Sequence, residues 1–230
     1  MERRLPTGCA PLDEVLGGGF RFGEVSLVYG EASTGKTTLA LTCSLNHLRG
    51  DPWAKACYVD SDQKLSTKRL TQVAGDDDSL LERLLVWRPG DFSEQTEVIE
   101  SLHGLPHGEM PVVVDSITGP YRLEAGDARR TFSSNKELNR QLGFLSETAR
   151  AKGSAVLVVG QVHGVLGAKE AQVEPVAKRL LGYWSDAVLR LETTSIQSVR
   201  QAFLEEPPGR AGACRFMLAE SGIKEAERAW

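Results

Sequence analysis

Apolar runs and helix-spaced apolar positions alternate along the chain. Glu24–Tyr29 (EVSLVY), Ala56–Val59 (ACYV), Leu84–Trp87, Pro111–Val114 (PVVV) and Ala155–Val159 read as short strands. Lys36–His47, Ser66–Ala74, Glu94–Leu102 and Phe132–Lys152 read as helices; the last places Leu138, Leu142, Leu145 and Ala149 on one face. Ala187–Leu191, Gln201–Leu204 and Cys214–Ala219 form a final set of strands, the last two a hairpin around PPGRAG. Strands alternating with helices predict an α/β fold built from βαβ units. Strands that are apolar on both faces fit a mostly parallel central sheet with helices on either side. The least regular stretches are 116–131 and 162–182.

A chain of 230 residues, 41% hydrophobic and 25% charged, has the size and composition of one folded domain. A net charge of −4 argues against coating nucleic acid by bulk charge and leaves room for a local basic patch. Cys9, Cys43, Cys57 and Cys214 lack metal-ligand spacing and read as reduced, buried thiols of a cytoplasmic protein. His103 and His107 are separated by Gly104 and Pro106, so they do not share a helix face and read as loop residues. MERRLPTG at the start lacks a signal-like apolar stretch, and no apolar run is long enough to span a membrane.

The chemistry concentrates at GEASTGKT, Gly30–Thr37, which matches G-x-x-x-x-G-K-[ST] between a strand and a helix. Gly30 and Gly35 let the backbone curl so that the amides of Glu31, Ala32, Ser33, Thr34 and Gly35 turn toward phosphate oxygens, aided by the following helix N-terminus. Lys36 brings a cation to the terminal phosphates, Thr37 offers a hydroxyl to magnesium, and Thr38 follows in the first helical turn. Asp115, ending PVVVD, supplies the acidic partner for the metal. An aspartate there also suits a helix cap; its pairing with the loop favours the metal role. The expected cofactors are ATP and Mg²⁺.

The segment LPTGCAPLDEVLGGGFRFGEVSLVYGEASTGKTTLAL resembles the RecA-superfamily recombinases, and YVDSDQKLSTKRL, VVVDSI, LNRQLGFLSETAR, VVGQV and YWSDAVLRLE continue the likeness over residues 5–223. The series is most similar to the RadB family, short archaeal paralogues of RadA. The resemblance implies a single RecA-like ATPase domain over 1–230, without the helical DNA-binding domain and polymerisation motif that precede this core in RadA. It implies that Asp62 stands where catalytic relatives carry a glutamate that activates water. Aspartate draws the carboxylate back by roughly 1.3 Å, and a misplacement of about 1 Å costs around a hundredfold in rate, so hydrolysis is expected to be slow. The alternative is a solvated loop carboxylate. Arg69 matches an arginine that stacks on adenine, or is a surface helix residue. Gln161 matches a γ-phosphate sensor, or is a polar strand end.

The two irregular stretches coincide with the DNA-contacting loops of that family. The first carries Tyr121, Arg122, Arg129 and Arg130, the second His163, Lys169, Lys178 and Arg179; cations with an aromatic suit a single-strand track. Glu124, Asp127, Glu170 and Glu174 lie among them, so a solvated charged face is the competing reading. The segment RQAFLEEPPGRAGACRF carries two glutamates, two prolines and no lysine where RadB relatives carry a basic segment, which argues for a weak DNA grip. Three functions follow: a DNA-stimulated ATPase that modulates a full-length RadA-type recombinase, a nucleotide-gated adaptor that barely hydrolyses, and, ranked last, a KaiC-like signalling ATPase. Arg200 and Arg210 are arginine-finger candidates by position alone, with ordinary surface roles favoured.

Overall fold

The computed structural model describes residues 3–75, 77–106, 108–125, 127–164, 173–207 and 212–226. The elements, in chain order, are β1 (Arg4–Leu5), α1 (Ala10–Leu16), β2 (Phe20–Arg21), β3 (Val25–Gly30), α2 (Lys36–Gly50), β4 (Ala56–Asp60), α3 (Thr67–Ala74), α4 (Asp78–Glu82), β5 (Leu84–Trp87), α5 (Phe92–Ser101) and β6 (Pro111–Asp115). The second half continues with α6 (Thr118–Glu124), α7 (Ala128–Lys152), β7 (Ala155–Gly160), β8 (Val162–Gly164), β9 (Val173–Pro175), α8 (Lys178–Trp184), β10 (Ala187–Thr193), β11 (Val199–Glu206), β12 (Gly212–Ala219) and β13 (Gly222–Glu225).

Among the described residues one sheet runs in the order β13-β12-β11-β10-β3-β7-β6-β4-β5. From β10 to β5 every neighbouring pair is parallel, whereas β10–β11, β11–β12 and β12–β13 are antiparallel. The central strands β3, β4, β6 and β7 are buried at every position. Two apolar cores explain this. Helices α1 and α2 cover one face with Leu12, Leu39, Leu45 and their neighbours. Helices α5 and α7 cover the other with Ile99, Leu138, Leu142 and Leu145. Each fully buried leucine contributes roughly 1.5–3 kcal/mol, which anchors α7 firmly across the sheet.

Two helix starts lie further upstream than the apolar pattern suggested. Asp91 caps α5 by accepting from Glu94 N at 2.9 Å, and Asp127 caps α7 by accepting from Arg130 N at 2.9 Å. The stretch 116–131 is not irregular: its described part holds α6 and the first turn of α7. The described part of 162–182 pairs β8 with β9 and then enters α8. Such short elements offer too few turns for periodicity to register.

Candidate functional site

The phosphate-loop segment leaves the end of β3 and enters α2. Gly30 has φ 156°, and a Cβ there would stand 2.2 Å from the Leu191 carbonyl oxygen, so only glycine fits. Gly35 has φ 96°, with a Cβ position 2.6 Å from Leu218 Cδ2. Thr34 is buried and its hydroxyl donates to the Glu31 carbonyl at 2.9 Å, tightening the curl. Lys36 Nζ donates to the carbonyls of Gly30 at 2.8 Å and Glu31 at 2.6 Å. Burial pulls the Lys36 ammonium below its ordinary range, and the nearby Asp115 and Asp62 charges oppose that shift.

Asp115 closes β6, beside β4 and β7. Its Oδ2 accepts from Thr37 Oγ1 at 2.6 Å and from Tyr58 Oη at 2.7 Å. Burial raises the Asp115 carboxyl above its usual range, and the Thr37 and Tyr58 hydroxyls pull it back. Tyr58 is fully buried on β4, and its hydroxyl is pushed well up by burial and then by Asp115. A hydroxyl and a carboxylate side by side are hard oxygen donors that suit Mg²⁺ next to a phosphate chain.

Asp62 lies one turn beyond β4. The turn is held by Asp60, whose carboxylate accepts from Lys64 N and Leu65 N at 3.0 Å each and from Arg88 Nε at 3.2 Å. Asp62 Oδ1 accepts from Ser116 Oγ at 3.1 Å; Oδ2 accepts from Gln161 Nε2 at 2.9 Å and Lys64 Nζ at 3.1 Å. Asp62 is therefore no solvated loop carboxylate: its side chain is 14% exposed. Gln161 also donates to Ser116 Oγ at 3.0 Å and accepts from Arg122 Nη1 at 2.8 Å. Its backbone N–H donates to the buried Thr118 hydroxyl at 2.9 Å, which fixes the end of β7 against α6. A cavity of about 510 Å³ opens in front of these groups, lined in part by Asp62, Lys64, Gly119, Arg122 and Gln161.

Arg69, in the first turn of α3, donates to Glu220 O at 2.8 Å, Ala219 O at 3.3 Å and Thr38 Oγ1 at 3.1 Å. It ties α3 to the β12–β13 turn and to α2 rather than standing as a lone surface residue. Among the other cations, Arg122, Arg129, Arg130, Lys178 and Arg179 are exposed, and Lys178 pairs with Glu174 at 2.7 Å. Lys169 lies outside the described residues, as do Arg210, His107 and the side chain of His163. Tyr121 is not the exposed aromatic the sequence suggested for base stacking. It is 6% exposed, donates to Asn135 Oδ1 at 2.9 Å and meets the Phe92 ring edge-on. Tyr183 on α8 is 78% exposed instead.

Sequence reasoning passed over Tyr58, Asp60, Ser116 and Gly119. A Cβ at Gly119 would fall 1.8 Å from Asp62 Oδ1. Arg200 is not a surface residue: it is 9% exposed and its Nε donates to the Ser33 carbonyl at 3.0 Å. A guanidinium committed to its own phosphate loop is not positioned to act as a finger toward another subunit.

The family model described as Rad51 matches residues 3–226. The DNA repair and recombination protein RadB of Thermococcus gammatolerans is 41% identical over 228 residues, spanning 96% of this chain and 98% of its own. RadB of Pyrococcus furiosus is 35% identical, over 97% of this chain and 96% of its own. The crystal structure of the RadB recombinase superposes with a TM-score of 0.81 at 35% identity, covering 97% of this chain and all (100%) of that one.

Proposed function

The chain belongs to the Rad51 family, among its RadB members, and from that membership we propose that it is a nucleotide-dependent DNA repair and recombination protein. In this reading it binds ATP with magnesium, hydrolyses it slowly, holds single-stranded DNA weakly and modulates a full-length recombinase. The main support is one convergence. The phosphate loop, the Thr37–Asp115 pair and the Asp62–Gln161 pair meet at the C-terminal ends of β3, β4, β6 and β7, where open α/β sheets bind ligands.

The chemistry follows from the side chains. The loop amides and the Lys36 ammonium hold the β- and γ-phosphates. Thr37 and Asp115 would hold magnesium, which supplies charge neutralisation on the phosphate oxygens. Asp62 orients the attacking water. Gln161 touches Asp62 at one end of its amide and Arg122 at the other, so it can report phosphate occupancy to the exposed Arg122 of α6.

A second reading, the adaptor that binds nucleotide without turning it over, draws on one observation. Both Asp62 oxygens are already engaged, by Ser116 on one side and by Gln161 and Lys64 on the other. The two readings separate in a phosphate-release assay on the purified chain, run with and without single-stranded DNA alongside ATP calorimetry. Slow turnover that DNA accelerates supports the ATPase; tight ATP binding with no DNA-dependent release supports the adaptor. No heat on ATP titration would remove both.

A further inference from the structure

Strands β10, β11 and β12 meet the phosphate loop at three places. The Leu191 carbonyl on β10 packs against Gly30, and Leu218 on β12 packs against Gly35. Between them Arg200 of β11 reaches the loop's apex. Its Nε donates to Ser33 O at 3.0 Å, while Nη1 donates to the carbonyls of Gln197 at 2.7 Å and Val199 at 2.9 Å. The guanidinium is thus fixed by the turn before β11 and by the strand's first residue before it grips the loop. Ser33 and Arg200 are 167 residues apart in the chain.

Ser33 is the residue of the loop that needs this grip. It adopts φ 64°, the left-handed region, although it is not glycine. That conformation costs an L-residue roughly 1–2 kcal/mol. In a planar trans peptide the C=O and the next N–H point in opposite directions. Holding the Ser33 carbonyl toward β11 therefore aims the Thr34 N–H away from it. A charge-assisted bond to a carbonyl is strong enough to offset the strain.

We propose that Arg200 is a positioning residue of the phosphate site. It clamps the Ser33 carbonyl so that the loop stands pre-curled, with the Thr34 amide aimed at phosphate before nucleotide arrives. The inference rests on the reading of this loop as the seat of the ATP phosphates. It adds that the C-terminal antiparallel strands act as the brace of the cradle.

The test uses the full chain and two probes, ATP and inorganic tripolyphosphate, titrated into wild type, Arg200→Met and Arg200→Lys. Wild-type binding to ATP checks the underlying reading separately; if it is absent, that reading fails and not the clamp alone. Given wild-type binding, Arg200→Met should weaken both probes by the same factor, about tenfold, because a relaxed loop must be returned to its left-handed curl on binding. Arg200→Lys should recover part of that loss, since an ammonium can still reach one carbonyl. Hydrogen exchange without nucleotide should quicken at residues 31–35 and stay unchanged along 201–205. Affinity within twofold of wild type in both variants would overturn the clamp. Exchange quickened along β11 as much as in the loop would overturn it too, by making Arg200 a strand stabiliser. Should Arg200→Met not fold, Arg200→Lys decides: a loss of about threefold with loop-confined exchange supports the proposal, and unchanged affinity and exchange refute it.

Discussion

Gln161 Nε2 donates to Asp62 Oδ2 at 2.9 Å, joining the end of β7 to the turn after β4 across 99 positions of sequence. The other end of that amide accepts from Arg122 at 2.8 Å. One planar group therefore links the Asp62 carboxylate to an exposed cation of α6. Gln161→Glu replaces the amide donor with a second acceptor. Two carboxylates at hydrogen-bonding distance cannot both stay charged at low cost, so one is driven to hold a proton. Phosphate release in the presence of single-stranded DNA should fall at least about tenfold. Single-turnover release measured beside calorimetry checks this, and an unaltered DNA-stimulated rate would count against the relay.

Asp62 is set by a clearance as well as by its bonds. Gly119 gives it room, because a methyl group there would stand 1.8 Å from Oδ1. Gly119→Ala must turn the carboxylate out of place. Hydrolysis should drop about tenfold or more with ATP affinity nearly constant, the signature of a misaligned positioning group. Asp62→Glu works in the opposite sense. The longer arm reaches into the cavity of about 510 Å³ that fronts the site, and turnover should rise about tenfold. A Glu variant no faster than wild type would show that reach is not what limits the rate.

Much of this was legible from residue order alone, for identifiable reasons. Strands β3, β4, β6 and β7 are covered on both faces, so Val112–Val114 and Val156–Val159 read as unbroken apolar runs. The curl of Gly30–Thr37 between β3 and α2 was legible because its spacing follows from local backbone geometry. The missed features are of two kinds. Helix α1 carries proline near its start and Gly17 in the left-handed conformation at its end, yet it is only 7 residues long and shows no full period. Arg200, Tyr58 and Gly119 gain their roles from residues brought close only by folding, as with Arg200 and Ser33. Tyr121 failed as a stacking candidate for the same reason: its burial depends on Phe92 and Asn135, neither of which is near in sequence.

Burial of Asp115 sets its charge against folding stability. Burial raises its pKa above the ordinary 3.8, so the folded chain holds a proton there more firmly than the unfolded chain does. Stability therefore falls as pH rises from the carboxylate range through the folded-state value, and the deficit persists at neutral pH. Asn at 115 keeps an oxygen for the Thr37 and Tyr58 hydroxyls and carries no charge. Asp115→Asn should melt about 2–4 °C higher near pH 7.5, and the gain should shrink as pH is lowered toward 4. Magnesium-dependent ATP binding should be lost in the same variant. Thermal melts across pH, with and without magnesium and ATP, measure both halves; a lower melting temperature at neutral pH would mean the carboxylate is not a net burden.

Lys36 carries the opposite sign. Burial depresses its ammonium below the usual 10.5, whereas a bound triphosphate would favour the charged form. ATP binding should therefore be linked to proton uptake on the alkaline side, beginning at a pH below 10.5. Affinity should decline as pH climbs through the depressed value, by up to about tenfold per pH unit once the amine is neutral. Lys36→Arg separates this from other alkaline effects, because a guanidinium stays protonated throughout the range. That variant should bind more weakly at neutral pH, since Lys36 fits between the Gly30 and Glu31 carbonyls as a compact ammonium. Its affinity should nevertheless stay flat where the wild type declines. Calorimetry in buffers of different ionisation enthalpy reads the proton uptake directly. Parallel pH profiles for the two proteins would show that some other group, and not Lys36, carries the alkaline dependence.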